Sequence, residues 1–125
     1  MDDQIFLLPY LITVIPIFAF CLILTITVEL IVAKSLGVTD NQALLIIVAA
    51  QVLTNPIAVF ITSALVDVVA NDVQYWACVI IVELVVIAVE GLIYKLKGVS
   101  RAPWRLSILA NLASVSVGIL VQTLI

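Results

Sequence analysis

Four uninterrupted apolar stretches, each long enough to cross a bilayer, fix most of what this chain can become. They cover residues 5–33, 43–66, 73–94 and 104–125, and a helix needs about 20 residues to traverse about 30 Å of hydrocarbon. Their Val and Ile content raises buried β-strand as a rival, but strands are several-fold shorter than these runs. Lipid also offers no partner to an unpaired backbone group, so a helix, which satisfies its own, is the expected solution. The reading is an all-α polytopic membrane protein: one transmembrane domain, residues 1–125, with four helices arranged as two helical hairpins.

Composition closes the other routes. With 66% hydrophobic and 10% charged residues in 125, so small a body cannot hide its apolar surface from water. There is no His, which removes the common neutral-pH base, the common zinc ligand and every Ser/His or Cys/His dyad. Cys21 and Cys78 lie far apart inside apolar runs and form no CxxC pattern, so they read as packing residues rather than a disulfide or a metal knuckle. A net charge of −3 with five scattered basic residues gives no nucleic-acid surface. No cofactor is called for, and the chain does not read as an enzyme.

The separators, residues 34–41, 67–72 and 96–103, are short and carry turn chemistry, which makes consecutive helices antiparallel neighbours. The first helix lacks a basic leader and exceeds the apolar core of a signal peptide, so the N terminus is expected to be retained. Lys34 sits in the first loop, and Lys95, Lys97, Arg101 and Arg105 surround the third. Basic residues stay on the cytoplasmic side, so both termini are expected outside a cell (inner or cytoplasmic) membrane, together with Asp2, Asp3, Asp67 and Asp72. Tyr10, Tyr75 and Trp76 would form the outer aromatic belt, and Tyr94 and Trp104 the inner one.

A segment recurs after 61 residues. Val28-Glu29, Val32, Lys34 and Gly37-Val38-Thr39 return as Val89-Glu90, Ile93, Lys95 and Gly98-Val99-Ser100. Chance likeness between two membrane-exit segments would account for the Lys and Gly, and less well for an acid at matched distance. A duplication would give units 1–61 and 62–125 of the same orientation, related by an axis along the membrane normal. The one-sided charge speaks against dual topology and for a parallel homo-oligomer.

Glu83 falls near the centre of the third run, where a charged side chain costs about 2.5 to 3.5 kcal/mol on insertion scales. Lys95, the nearest base along that helix, is roughly 18 Å away at the helical rise. A proton, a cation or hydrogen bonds must therefore neutralise it. Helical spacing puts Ser107, Asn111, Ser114, Gly118 and Gln122 on one stripe, Gln51 four residues from Asn55, Thr25 four from Glu29, and Glu90 two turns from Glu83. Pro56 leaves the Val52 carbonyl without its amide partner and predicts a helix kink beside Thr54-Asn55. The expected ion-binding or relay column is Glu83, Asn55, Asn111 and Ser114 near the midplane, with Glu29 and Glu90 at a cytoplasmic mouth. An all-oxygen set suits protons or hard cations, and no specific metal is indicated. Structural readings stand beside these: close packing for the serine and glycine stripe, interhelical glue for Asn55 and Asn111, and interfacial pairing of Glu29 with Lys34 and Glu90 with Lys95.

The set Val28-Glu29, Thr54-Asn55-Pro56, Glu83, Glu90-Gly91 with Tyr94, and Ser107, Asn111, Ser114, Gly118 resembles small four-helix integral membrane proteins of unassigned function from anaerobic Gram-positive bacteria. The resemblance covers nearly the whole chain and implies a four-helix fold without a substrate. From the residues themselves the leading expectation is a small cation or proton channel or transporter. The competing one is a non-catalytic membrane subunit of a larger complex. An enzyme holding a metal on Glu29 and Glu90 would have no nucleophile or base to work with.

Overall fold

The computed structural model describes residues 2–124, with the side chains of residues 2–8, 10, 11 and 14 outside the description. The outer-side assignments of Asp2, Asp3 and Tyr10 therefore lie outside the described residues. Four helices follow one another: α1 (Asp2–Ser35), α2 (Asn41–Leu65), α3 (Asp72–Leu96) and α4 (Pro103–Leu124). All four are long and apolar enough to span a membrane, and among the described residues there is no strand. α1 starts earlier than its apolar run and continues through Pro9 and Pro16. The other boundaries shift by one or two residues.

Local chemistry sets the ends. α1 and α3 stop identically: Gly37 and Gly98 adopt φ of +93° and +64°. The Val38 and Val99 amides then donate back to the Ala33 and Tyr94 carbonyls at 2.9 and 3.0 Å. This six-to-one closure, with the following Val buried against the bundle, is a Schellman cap, which left-handed glycine makes possible. Asp40 Oδ2 accepts the Ala43 amide at 3.3 Å to open α2. Asn71 Oδ1 accepts the Gln74 amide at 2.9 Å to open α3. Pro103 begins α4, where its missing N–H costs nothing.

The helices form a ring in which each packs on two neighbours, α1 on α2 and α4, and α3 on α2 and α4. α1 and α3 face each other across one diagonal, α2 and α4 across the other. Large apolar side chains point outward, among them Ile23, Leu45, Phe60, Ile80 and Leu112, an arrangement that water would penalise and acyl chains solvate. The tightly packed apolar core sits at the end carrying the basic loops, built from Ala33, Val38, Ala43, Ile47, Tyr94, Val99 and Leu106. Tyr94 belongs to that core at 0% exposure, which corrects its assignment to the inner aromatic belt. It lies four residues from Glu90 on the inward face, so its ring has no route to the interface. Trp104 remains partly exposed and covers Gly91, whose missing Cβ makes room for the indole.

Candidate functional site

Just inside the packed end, all four helices send a polar side chain to the bundle axis. Glu29 of α1 and Glu90 of α3 are both 0% exposed and lie on opposite corners of the ring. Gln51 of α2 joins them: its Nε2 donates to Glu29 Oε2 and, at 2.8 Å, to Glu90 Oε2. From α4, Asn111 Nδ2 donates to Glu90 Oε2 at 3.0 Å and to the Ser107 carbonyl at 2.9 Å. Thr54 Oγ1 lies 2.8 Å from Glu90 Oε1, and the Tyr94 hydroxyl lies 3.3 Å from Glu90 Oε2. Ser107 Oγ donates to the Ile87 carbonyl at 2.7 Å and ties α4 to α3 beside the cluster.

The two carboxylates are served very differently. Glu90 has polar partners from α2, α3 and α4 on both oxygens. Glu29 accepts from Gln51 on Oε2, and among the described residues its Oε1 is buried without a hydrogen-bond partner, as is Ser114 Oγ. Their hydrogen-bond partners include no Lys or Arg, and Lys34 and Lys95 are exposed. Interfacial pairing of Glu29 with Lys34 and of Glu90 with Lys95 is thereby corrected. Residues five apart on a helix are rotated about 140° from each other, whereas facing pairs are three or four apart. When the lysines reach the water, the glutamates necessarily turn to the axis.

Away from the basic loops the packing opens into a cavity of about 550 Å³. Gln51 and Asn111 form its inner limit. Thr25, Asn55, Glu83, Ser114 and Gly118 line its walls, and Pro16, Tyr75, Trp76 and Gln122 surround its wide end. No Lys or Arg lines it. Of the expected column, Glu83, Asn55 and Ser114 share this cavity, Asn111 forms its floor, and Glu83 is half-buried. Pro56 is half-buried on α2 directly after Asn55 and does not line the cavity. Glu29 and Glu90 occupy no cytoplasmic mouth; they lie just beneath the floor, and the apolar core closes the bundle beyond them. That is a correction, and its cause is the pair of valine-anchored caps, which pull the loops over the end of the ring.

Among the described residues no group of three or more acidic or sulfur ligands converges. Cys21 and Cys78 are free and half-buried, and Cys21 lines the cavity. Sequence spacing placed Gln51 and Thr54 near the candidate column without giving either its central part. The available signal was the four-residue step from Glu90 to Tyr94, together with the three-residue step from Gln51 to Thr54, which put these groups on single faces. No family model, curated protein or solved structure matches the chain.

Proposed function

We propose that this chain is a small membrane protein that conducts or couples a proton or hard cation, with the carboxylates of Glu29 and Glu90 as its internal charge. One observation carries this reading: two fully buried acids share a single amide with no basic side chain among their partners. Hydrogen bonds share part of the cost of burying two carboxylates, but with no Lys or Arg beside them a proton or another cation is what neutralises the remaining charge. The missing positive charge is then the transported species or the ion coupled to it. The cavity provides access from one end, Glu83 gives an intermediate carboxylate along its wall, and the packed core closes the opposite end. A bundle open at one end and shut at the other suits a gated or alternating path better than a permanent pore.

The test is flux in proteoliposomes, read with a pH-sensitive dye for protons and with radioactive sodium or rubidium for cations. Glu90→Gln and Glu29→Gln should each abolish it while the protein still elutes as a folded species. Undiminished flux in the double variant refutes the reading. A second reading, a non-catalytic membrane subunit, draws on an apolar groove of about 390 Å³ between α2 and α3. Leu53, Ile57, Ile61, Ile81, Val85 and Val89 line it, and a further transmembrane helix would fill it. Recovery of one stoichiometric membrane partner in mild detergent, with no flux by the isolated chain, selects that alternative. Assembly as a parallel homo-oligomer would show instead as a defined multiple of the chain mass under the same conditions.

A further inference from the structure

The two hairpins correspond at the carboxyl, amide and hydroxyl positions of the cluster, Tyr94 excepted because its counterpart is Ala33, and the places where the match fails are informative. α1 and α3 correspond at a spacing of 61, which pairs Glu29 with Glu90, Lys34 with Lys95 and Gly37 with Gly98. α2 and α4 correspond at a spacing of 60, which pairs Gln51 with Asn111, Thr54 with Ser114 and Ala58 with Gly118. The caps at Gly37 and Gly98 have the same hydrogen-bond pattern.

Under this correspondence each bond from α2 or α4 to a glutamate on one side of the axis predicts a bond on the other; the Tyr94–Glu90 contact has none, since Ala33 stands in the matching place. The bond from Gln51 to Glu29 has its counterpart in Asn111 to Glu90, at 3.0 Å. The bond from Gln51 to Glu90 would return as Asn111 to Glu29. Asn is one methylene shorter, however, and its second N–H turns to the Ser107 carbonyl instead. The 2.8 Å contact of Thr54 Oγ1 with Glu90 Oε1 would return as Ser114 Oγ to Glu29 Oε1. Those two atoms are the pair that, among the described residues, is buried without hydrogen-bond partners.

We propose that Glu29 Oε1 and Ser114 Oγ are two ligands of a site for a monovalent hard cation, probed below with sodium and reached from the cavity, and that Glu90 is its fixed structural counterpart. The inference rests on the functional reading above and names the class of ion and the oxygens that hold it. One carboxylate oxygen, Glu29 Oε1, and one hydroxyl oxygen, each without a hydrogen-bond partner, suit a cation, which accepts oxygen lone pairs. Thr25 and Asn55, each one helical turn from the cluster and on the cavity wall, extend the oxygen set. Glu90 spends its oxygens on Gln51, Asn111, Thr54 and Tyr94. That leaves one carboxylate for the ion, which favours a single charge over calcium or magnesium, since these are held by several carboxylate, carbonyl or water oxygens.

The experiment is a thermal-unfolding titration of the detergent-solubilised full chain with NaCl, ionic strength being held with choline chloride. The site predicts a saturable rise in midpoint for the wild type. Ser114→Ala and Glu29→Gln should weaken the apparent sodium affinity at least tenfold. Asn111→Gln, which lengthens the amide enough to serve Glu29, should do the same. Ser116→Ala, whose exposed hydroxyl back-bonds to the Leu112 carbonyl away from the cavity, should titrate like the wild type. The inference is overturned if the wild type gains nothing from sodium beyond choline, if Ser114→Ala and Asn111→Gln both titrate normally, or if Ser116→Ala weakens the effect as much as Ser114→Ala does. Its failure is separable from that of the functional reading. Proton flux in sodium-free liposomes that depends on Glu29 would keep the function and end the cation site, whereas sodium binding without any flux would do the reverse.

Discussion

Replacing Gln51 by Leu distinguishes a charged cluster from neutral interhelical glue. Leu fills nearly the same space, so little of the effect comes from a cavity, and what is lost is the amide that bridges Glu29 and Glu90. If both acids were neutral, each bond would be worth about the ~0.6 kcal/mol typical of polar contacts inside membranes, and the substitution would cost about 1 kcal/mol in total. If a carboxylate charge is present, each bond is charge-assisted and worth about 1.5 to 3 kcal/mol, so the loss is about 3 kcal/mol or more. That corresponds to over a hundredfold in the folding equilibrium, at tenfold for each ~1.4 kcal/mol. The assay is denaturation by SDS in mixed micelles, followed through Trp76 and Trp104, for Gln51→Leu, Glu29→Gln and the double variant. Strong coupling is expected, with Gln51→Leu costing much less once Glu29 is an amide. A loss of about 1 kcal/mol, unchanged by Glu29→Gln, would refute the view that this centre holds charge.

Thr54→Val keeps the side-chain shape and removes the hydroxyl next to Glu90 Oε1, so the same denaturation assay should report a loss of about 1 to 2 kcal/mol. Thr62→Val, whose hydroxyl only back-bonds to the carbonyls of its own helix, should leave stability unchanged. Gly91→Ala drives a methyl group into the Trp104 ring and is expected to cost about 1 to 3 kcal/mol by overpacking; Trp104→Ala in the same chain should recover part of the lost thermal midpoint. Gly98→Ala must hold a side chain at φ of +64°, and the loss should be about 1 to 2 kcal/mol in the same measurement. In a Cys78→Ala background, a small membrane-impermeant thiol reagent should modify Cys21 through the cavity from the side of the termini and not from the side of the basic loops. Modification from the basic side only would reverse the assigned direction of access.

Glu83 shows why linear position is a poor guide to a membrane site. Its depth along α3 was legible from its distance to Lys95, and depth does set the cost of a charge facing lipid. Burial within protein is a different quantity, fixed by how the helix is rotated, and by that measure Glu29 and Glu90 lie deeper. Both were recognisable as a matched pair in the repeated segment, yet nothing local indicates that two residues on non-adjacent helices meet through a third. Gln51 illustrates the same limit: spacing marks the face it occupies on α2 but leaves open which helices that face meets.

The chain alone determined the number of crossings, the all-helical class and the points where α1 and α3 end, because hydrocarbon thickness and left-handed glycine act on a segment without reference to its neighbours. The ring order of the helices determined the rest: which acids share an amide, which oxygen is left without a partner, and at which end the bundle opens. Those properties depend on relative rotation and on side-chain lengths compared across an axis. A single methylene between Gln51 and Asn111 acquires meaning only when both amides reach for the same pair of carboxylates.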